Sequence, residues 1–349
     1  MKKTVKITGF ILVSLATLFI LFLTYLTIFE YRPDDKEEIA VSEEGKSISQ
    51  DDMLTILTYN IGYGALSKDA DFFMDGGKRV QPKSKELIHD NMAGILRILK
   101  ENLTDIVLIQ EIDLASKRTW FIDQKSYFEE HMNRKGVFAY NFNSKYVPYP
   151  LPTIGKVESG LLTLTDRKID AATRISLPSP FSWPVSTCNL KRCLLESRFS
   201  INDSDKELVV FNLHLEAYDD GEGKVEQTRI LMDQLKAEYE KGNYVIAGGD
   251  FNQTFDSVEG FPIFNKDDWV PGKMEESNLP EGFSFAVSDD FATCRLLNAP
   301  YQGNYEKSQV FVIDGFIVSA NIEVESIQVI DTQFEFSDHQ PVRLSFRLQ

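Results

Sequence analysis

The sequence predicts a mixed α/β fold in which two β-sheets pack face to face, preceded by one membrane-spanning helix. Three observations carry that expectation. Apolar runs of strand length recur from residue 54 to residue 348, only two stretches show helical spacing, and residues 8–29 hold no charged side chain. Many strands with few intervening helices favour packed sheets over a doubly wound fold, where strand and helix alternate.

The N-terminal run comes first. Lys2, Lys3 and Lys6 precede it, and it is long enough to cross a hydrocarbon core of about 30 Å as a helix. A cleaved signal peptide would carry an apolar region of about 7–15 residues and then a small-residue cleavage site. This run is longer and ends in Thr-Ile-Phe-Glu-Tyr-Arg, so an uncleaved anchor is expected at residues 1–30. Lysines before it and the acidic stretch 34–44 after it place the N-terminus in the cytoplasm, by the positive-inside bias. The expected location is therefore the cell membrane, single-pass, with the bulk of the chain extracytoplasmic. Residues 31–50 are polar, acidic and unpatterned, and read as a tether. Residues 51–349 show no Gly/Ser linker, repeat or composition break, and are read as one catalytic-size domain.

Within that domain, strands are expected at 54–59, 105–110, 160–165, 193–200, 207–213, 243–247, 309–318, 323–330 and 341–348. A helix is expected over 85–100, where Ser84 caps and Leu87, Ile88, Ile95 and Leu99 share a face. A second, over 224–241, carries Leu231, Leu235 and Tyr239 at helical spacing and stops at Gly242. The Pro- and aromatic-rich stretches 140–152 and 177–185 resist regular assignment. They are read either as packed surface loops or as an aromatic rim or ledge suited to a membrane–water interface.

Net charge is −16, and no Lys/Arg cluster appears. That argues against a polynucleotide-binding surface, although an enzyme can hold a local basic groove on an acidic body. Cys188, Cys193 and Cys294 are too few for a disulfide framework and lack metal-site spacing. Cys188 and Cys193 are near enough in sequence to pair; burial as small apolar residues is the other reading.

Histidine is scarce, with four in 349 residues, and two of them end apolar runs: His214 in VVFNLHLEAY and His339 in FSDHQPV. One such histidine would be read as structural. Three further runs, TILTYNIGYG, DIVLIQEID and YVIAGGDFNQ, also end in acids or amides, which delivers side chains to one sheet edge. Asn60 and Glu111 offer hard oxygens that suit Mg²⁺, an ion that keeps waters and takes phosphate oxygens. Asp250 and Asn252 lie two apart beside Gly248 and Gly249, which let the backbone come close. Asp314, ending QVFVID, is the kind of carboxylate that fixes a histidine tautomer. Together these groups fit phosphoester hydrolysis, which needs positioning, charge neutralisation and proton transfer. No G-x-S-x-G appears and no cysteine neighbours a histidine, so a nucleophilic Ser or Cys is not expected.

Six motifs in order, TYNIGYG, LIQEID, NLHLEAY, GGDFNQ, VIDGFIVS and SDHQPV, resemble the endonuclease/exonuclease/phosphatase superfamily over residues 54–348. That superfamily includes pancreatic-type deoxyribonucleases, apurinic endonucleases, inositol polyphosphate 5-phosphatases and neutral sphingomyelinases. The resemblance implies a four-layer α/β sandwich with the site at one end of the paired sheets. It implies Asn60 and Glu111 as the metal-binding pair, with Asp338 a further ligand, and Mg²⁺ as cofactor with Mn²⁺ as substitute. His214 resembles a general acid toward the leaving oxygen, Asp250 the residue that positions the attacking water, and Asn252 a phosphate contact. His339 with Asp314 resembles a pair that either contacts phosphate or acts as base. Glu158 in KVESG is a candidate to orient His214. Basic DNA-contact loops and inositol-phosphatase signatures are missing, and SKRTWFIDQ is similar to bacterial membrane-anchored members.

The substrate expectation follows from charge and location. Setting aside Lys2, Lys3, Lys6 and Glu30 leaves 34 of 37 basic and 52 of 53 acidic side chains, a formal charge of −18 on residues 31–349. Such a body repels a polyanion but tolerates a zwitterionic headgroup, and an anchor raises the effective concentration of lipid. Lys191 and Arg192 in NLKRC are candidates to meet a phosphate. A phospholipid-type phosphodiester is preferred over nucleic acid, and a catalytically inactive binding ectodomain is the rival from another class.

Overall fold

The computed structural model describes residues 2–219 and 221–349. In chain order the first strands are β1 (Lys36–Ile39), β2 (Leu54–Asn60), β3 (Ile106–Asp113), β4 (Lys135–Val147), β5 (Gly155–Thr165) and β6 (Ala171–Ser176). Next come β7 (Cys193–Ser200), β8 (Glu207–His214), β9 (Tyr244–Asp250), β10 (Gln253–Phe255), β11 (Gly272–Met274) and β12 (Phe283–Ala286). The last are β13 (Cys294–Arg295), β14 (Val310–Phe311), β15 (Asp314–Ser319), β16 (Ile322–Val329) and β17 (Val342–Leu348). The α-helices among the described residues are α1 (Lys2–Ile28), α2 (Lys85–Glu101), α3 (Gln124–Met132) and α4 (Glu222–Tyr239).

Two large mixed sheets form the body. One has the order β1-β6-β7-β8-β9-β15-β12 and the other β16-β17-β2-β3-β5-β4. Each has a parallel pair at its centre, β8 with β9 and β2 with β3, and antiparallel pairs outward. Between the sheets lies one apolar core: Leu54, Ile56, Ile106 and Leu108 from one side meet Leu195, Leu208, Val210, Ile246 and Phe316 from the other. Leu231, Met232 and Leu235 of α4 cover the first sheet. Ile95, Leu96 and Leu99 of α2 and Phe128 of α3 cover the second. Burial on both faces explains why the central strands read as continuous hydrophobic runs. The result is helix, sheet, sheet, helix, as the motif resemblance implied.

The expected helices form. Ser84 accepts from Leu87 N at 3.2 Å and caps α2, while Gly242, at φ +84°, follows the end of α4. Three expectations are corrected. The run 309–318 is broken, because Thr293 Oγ1 takes the amides of Ile313 and Asp314 at 2.9 and 3.0 Å, and β15 starts afresh at Asp314. The stretch 140–152 is strand as far as Val147, on the edge of its sheet, with two register shifts against β5. Residues 31–50 are not a free tether. Here β1 pairs with β6, Ile48 bridges Ile201 and is buried in the inter-sheet core, and Ile39 and Val41 pack against it. A few alternating hydrophobes suffice to dock a chain whose acids face water.

α1 is long and apolar enough to cross a membrane, with a mean hydropathy of 2.4 over its best window, a test that a signal sequence also passes.

Candidate active site

The C-terminal ends of β2, β3, β8 and β9 and the starts of β15 and β17 meet at one end of the two sheets. Asn60 closes β2 opposite Gln110 in register. The β3–β5 register then shifts between Ile109 and Ile112, and Glu111 sits in this bulge at φ +55°. Bulges re-aim side chains beside functional sites, and a left-handed non-glycine residue costs about 1–3 kcal/mol. The bulge brings Glu111 Oε1 to 3.1 Å from Asn60 Nδ2.

In the other sheet, His214, Asp250 and Asp314 lie side by side on three adjacent strands, because Asp250 is in register with both neighbours. Asp250 Oδ2 is the meeting point of the site. It accepts from Asn60 Nδ2 at 3.0 Å and lies 3.4 Å from His214 Nε2 and 3.7 Å from His339 Nε2. Asp314 Oδ2 is 2.8 Å from His339 Nδ1, which fixes the ring's orientation. Asn252, at φ +51°, gives its amide N–H to Asp250 Oδ1 at 2.9 Å and its Nδ2 to Leu215 O at 2.8 Å. Asp338 reaches the site over Gly62: a Cβ there, at φ +49°, would stand 2.8 Å from Asp338 Oδ1. Gly249 is equally constrained, since its Cβ would meet Leu213 O.

A model of the Endonuclease/Exonuclease/phosphatase family matches residues 57–339, a span that holds the whole constellation. The chain belongs to this family. Among solved structures it is similar to an endonuclease/exonuclease/phosphatase from Beutenbergia cavernae DSM 12333, at 16% identity and TM-score 0.57, covering 85% of this chain and 72% of that one. A family protein from Bacteroides vulgatus aligns at 13% identity and TM-score 0.56, covering 86% and 100%. D. rerio TDP2, complexed with single strand DNA product, aligns at 15% identity and TM-score 0.50, covering 85% and 100%. At these identities the likeness is one of fold. No curated protein sequence matches the chain. Endonuclease/exonuclease/phosphatase members are phosphoester hydrolases and generally use a divalent metal.

The electrostatics of this family site fit such an ion. Burial and then the nearby Glu111 push the Asp338 carboxyl up to about 7, against His339 and Arg295. Burial and Asp314 push Asp250 up to about 6, although His339 and the hydrogen bonds from Asn60 and Asn252 oppose this. Burial alone would lower His339, yet Asp314, Cys294 and Asp250 outweigh it and hold the ring well above the usual imidazole range. His214 lies well below that range through burial, the Arg192 charge and His339. Four acids thus gather around His339, with Arg295 the further positive charge acting on Asp338, and Asp314 Oδ1 is buried without a partner. This shortage of positive charge among hard oxygens is what a divalent cation relieves. Two ligand sets qualify. Glu111, Asp338 and Asn60 form one, with Asn60 having to present Oδ1, here bound to Gly62 N–H at 3.0 Å. Asp250, Asp314 and His339, the last through a ring nitrogen freed of its proton, form the other, with ligand atoms within 4.8 Å of one another.

Three expected residues are placed elsewhere. Glu158 pairs with Lys156 at 2.7 Å and is not a hydrogen-bond partner of His214. Lys191 pairs with Glu30 at 2.9 Å, at the foot of α1, rather than facing the site. Arg192 is buried, pairs with Glu216 at 3.1 Å and donates to His214 O at 3.0 Å, so it braces the end of β8 instead of meeting phosphate. Cys188, Cys193 and Cys294 are free thiols.

Other neighbours went unread in the sequence. Gln110 Nε2 donates to Asn212 Oδ1 at 2.8 Å, and Asn212 Nδ2 donates to Leu162 O at 3.0 Å, a buried polar bridge between the sheets under the site. Arg118 forks onto Asp113 at 2.8 and 3.0 Å and stacks 3.6 Å over Tyr63. Tyr218 donates to Asp75 at 2.7 Å, and its phenol is raised by burial and Asp75, with Glu111 and Asp338 adding. Arg118 lies in SKRTWFIDQ and Tyr218 in NLHLEAY, so the motifs held them, but no spacing rule singles out polar residues beside a carrier.

Proposed function

We propose that this chain is a Mg²⁺-dependent phosphodiesterase, with Mn²⁺ as a substitute, that acts on a phospholipid-type substrate at the outer face of the membrane holding α1. The observation that carries the reading is the convergence of Glu111, Asp338, Asp250 and Asp314 on two histidines and Asn60 at one buried sheet edge. Glu111, Asp338 and Asn60 would hold the metal, which supplies Lewis acidity and neutralises phosphate charge when bound. Asp250, its carboxyl raised to about 6 by burial and Asp314, orients the attacking water. Asn252 directs its remaining amide proton to a phosphate oxygen. His339, kept cationic by Asp314, meets a second such oxygen, and the neutral His214 donates a hydrogen bond from its ring N–H to the leaving oxygen. That oxygen takes its proton from solvent as the P–O bond breaks, while the attacking water's proton passes to Asp250. The apolar α1 and the acidic body favour lipid over polyanion.

A nuclease is the second reading, favoured by the fold likeness to TDP2 complexed with single strand DNA product. The test is a substrate panel with the purified full chain and Mg²⁺: sphingomyelin and phosphatidyl vesicles, DNA, RNA and inositol phosphates. Release of a phosphorylated headgroup is expected. Cleavage of DNA with no headgroup release from any lipid would transfer the assignment to the nuclease.

A further inference from the structure

We infer that loops 148–154 and 181–187, with the foot of α1, form a bilayer-contacting rim, so that the active site opens onto the same membrane that holds α1. The inference rests on reading α1 as a membrane span and extends the proposed lipid reading.

The contacts tie both loops to one end of α1. Tyr146, just before the first loop, meets Phe22 edge to face at 6.3 Å between ring centroids. Trp183 Nε1, in the second loop, donates to Thr27 Oγ1 at 3.1 Å. Lys191 pairs with Glu30, and Leu26 is buried although the rest of α1 is largely exposed. At 1.5 Å per residue, Phe22 lies about 9 Å along the axis from Ile28. The end of β4 that touches Phe22 therefore brings the loop that follows it to the depth of the interfacial layer, where Trp and Tyr are enriched. The loops also present apolar side chains that the core leaves uncovered: Tyr149 is 71% exposed, Leu151 83%, Trp183 59% and Val185 51%. On a soluble surface such a cluster marks an interaction site, and its continuity with α1 identifies the partner as lipid.

The same loops run back to the site. Tyr149 packs on Phe73 at 6.2 Å, and the turn Phe73–Asp75 ends in the carboxylate that holds Tyr218 beside the carboxylates. Just ahead of the second loop, Pro178 O accepts from Gln227 Nε2 of α4 at 2.8 Å, and Gln227 Oε1 accepts from Glu216 N at 3.0 Å, two residues beyond His214. These contacts link the segments beside the foot of α1 to residues that border the site.

The test uses the full chain in phosphatidylcholine vesicles. After alkaline carbonate extraction confirms insertion, the variant W120F/W269F, which keeps only Trp183, is measured in vesicles whose acyl chains are brominated near the headgroup. Loss of most Trp183 emission is expected. A Leu151→Cys chain in a Cys188→Ser background, labelled with a polarity-sensitive dye, gives an independent reading that does not need the tryptophan variant to fold. Its emission should shift to the blue in vesicles, while the same label at Glu323→Cys should not shift. Release of the chain by carbonate would overturn the span beneath the inference. Retention with Trp183 unquenched and the Leu151→Cys label unshifted would overturn the rim alone, whatever the substrate panel gives.

Discussion

Glu111 sits at φ +55° in a bulge, a conformation that packing must hold in place, and it directs its carboxylate to Asn60. Glu111→Gln removes one formal charge from a shell otherwise completed by Asp338 and a neutral amide. Mg²⁺ affinity and turnover should both fall while circular dichroism stays unchanged; an unaltered Mg²⁺ titration would remove Glu111 from the ligand set. His339→Ala and His214→Ala should each lower turnover by roughly 10²–10³-fold, the usual loss for a donor aimed at charge that develops in the transition state. His131 and His89 serve as controls. His131 is exposed and stacks on Tyr127 at 4.3 Å, and His89 is exposed on α2, so Ala at either should leave turnover intact. A larger loss from His131→Ala than from His339→Ala would place the site elsewhere. At this scale the convergence was legible, because polar residues ending apolar strands must gather where the strands end. Lys191, Arg192 and Glu158 were misread because a charged residue near a motif reveals nothing of its partner, and each found one: Glu30, Glu216 and Lys156.

Among the elements, β2 and β3 are registered by one carboxylate. Asp105 Oδ2 accepts from Thr55 N at 2.8 Å and Thr55 Oγ1 at 2.7 Å, and Asp105 Oδ1 from Arg167 Nε at 3.0 Å and Nη2 at 2.6 Å. Burial would raise its pKa, but Arg167 and Thr55 outweigh that and hold it below the ordinary carboxylate range. A depressed folded-state value contributes stability that is present above the unfolded value of about 3.9 and is lost as pH falls through the folded value. Asp105→Asn should therefore cost roughly 1.5–3 kcal/mol at neutral pH. The gap from the parent should narrow below about pH 4, as read by urea unfolding in detergent. A gap independent of pH would contradict this account of the strand start. The central strands and both long helices were legible because burial on two faces, or on one helical face, writes a period into the sequence. The broken strand at 309–318 was not, since its break depends on Thr293, a residue distant in sequence. Nor was the docking of residues 31–50, which three well-placed hydrophobes decide against an acidic background.

For the molecule as a whole, the apolar α1, with lysines before it and the acidic stretch 34–44 after it, predicts what cell-level measurements should find. Fractionation should place the chain in membranes, and protease added outside intact cells should reach the domain beyond residue 51. Protection of that domain in intact cells would reverse the sidedness, and a soluble secreted form lacking the first thirty residues would overturn the anchor. The family and the paired-sheet architecture were legible because six motifs fall in order within residues 54–348, a span that the family match over 57–339 largely covers. Substrate was not, since it depends on loops whose composition suits packing and lipid alike. The central claim is metal-dependent phosphodiester hydrolysis at the Asp250 meeting point. The most direct measurement is hydrolysis of bis-p-nitrophenyl phosphate by the purified chain with Mg²⁺, with chelator, and in Asp250→Asn. The account predicts turnover that vanishes with chelator, returns with Mg²⁺ or Mn²⁺, and falls by roughly 10²-fold or more in the variant. Turnover that ignores chelator, or that Asp250→Asn leaves intact, would contradict it.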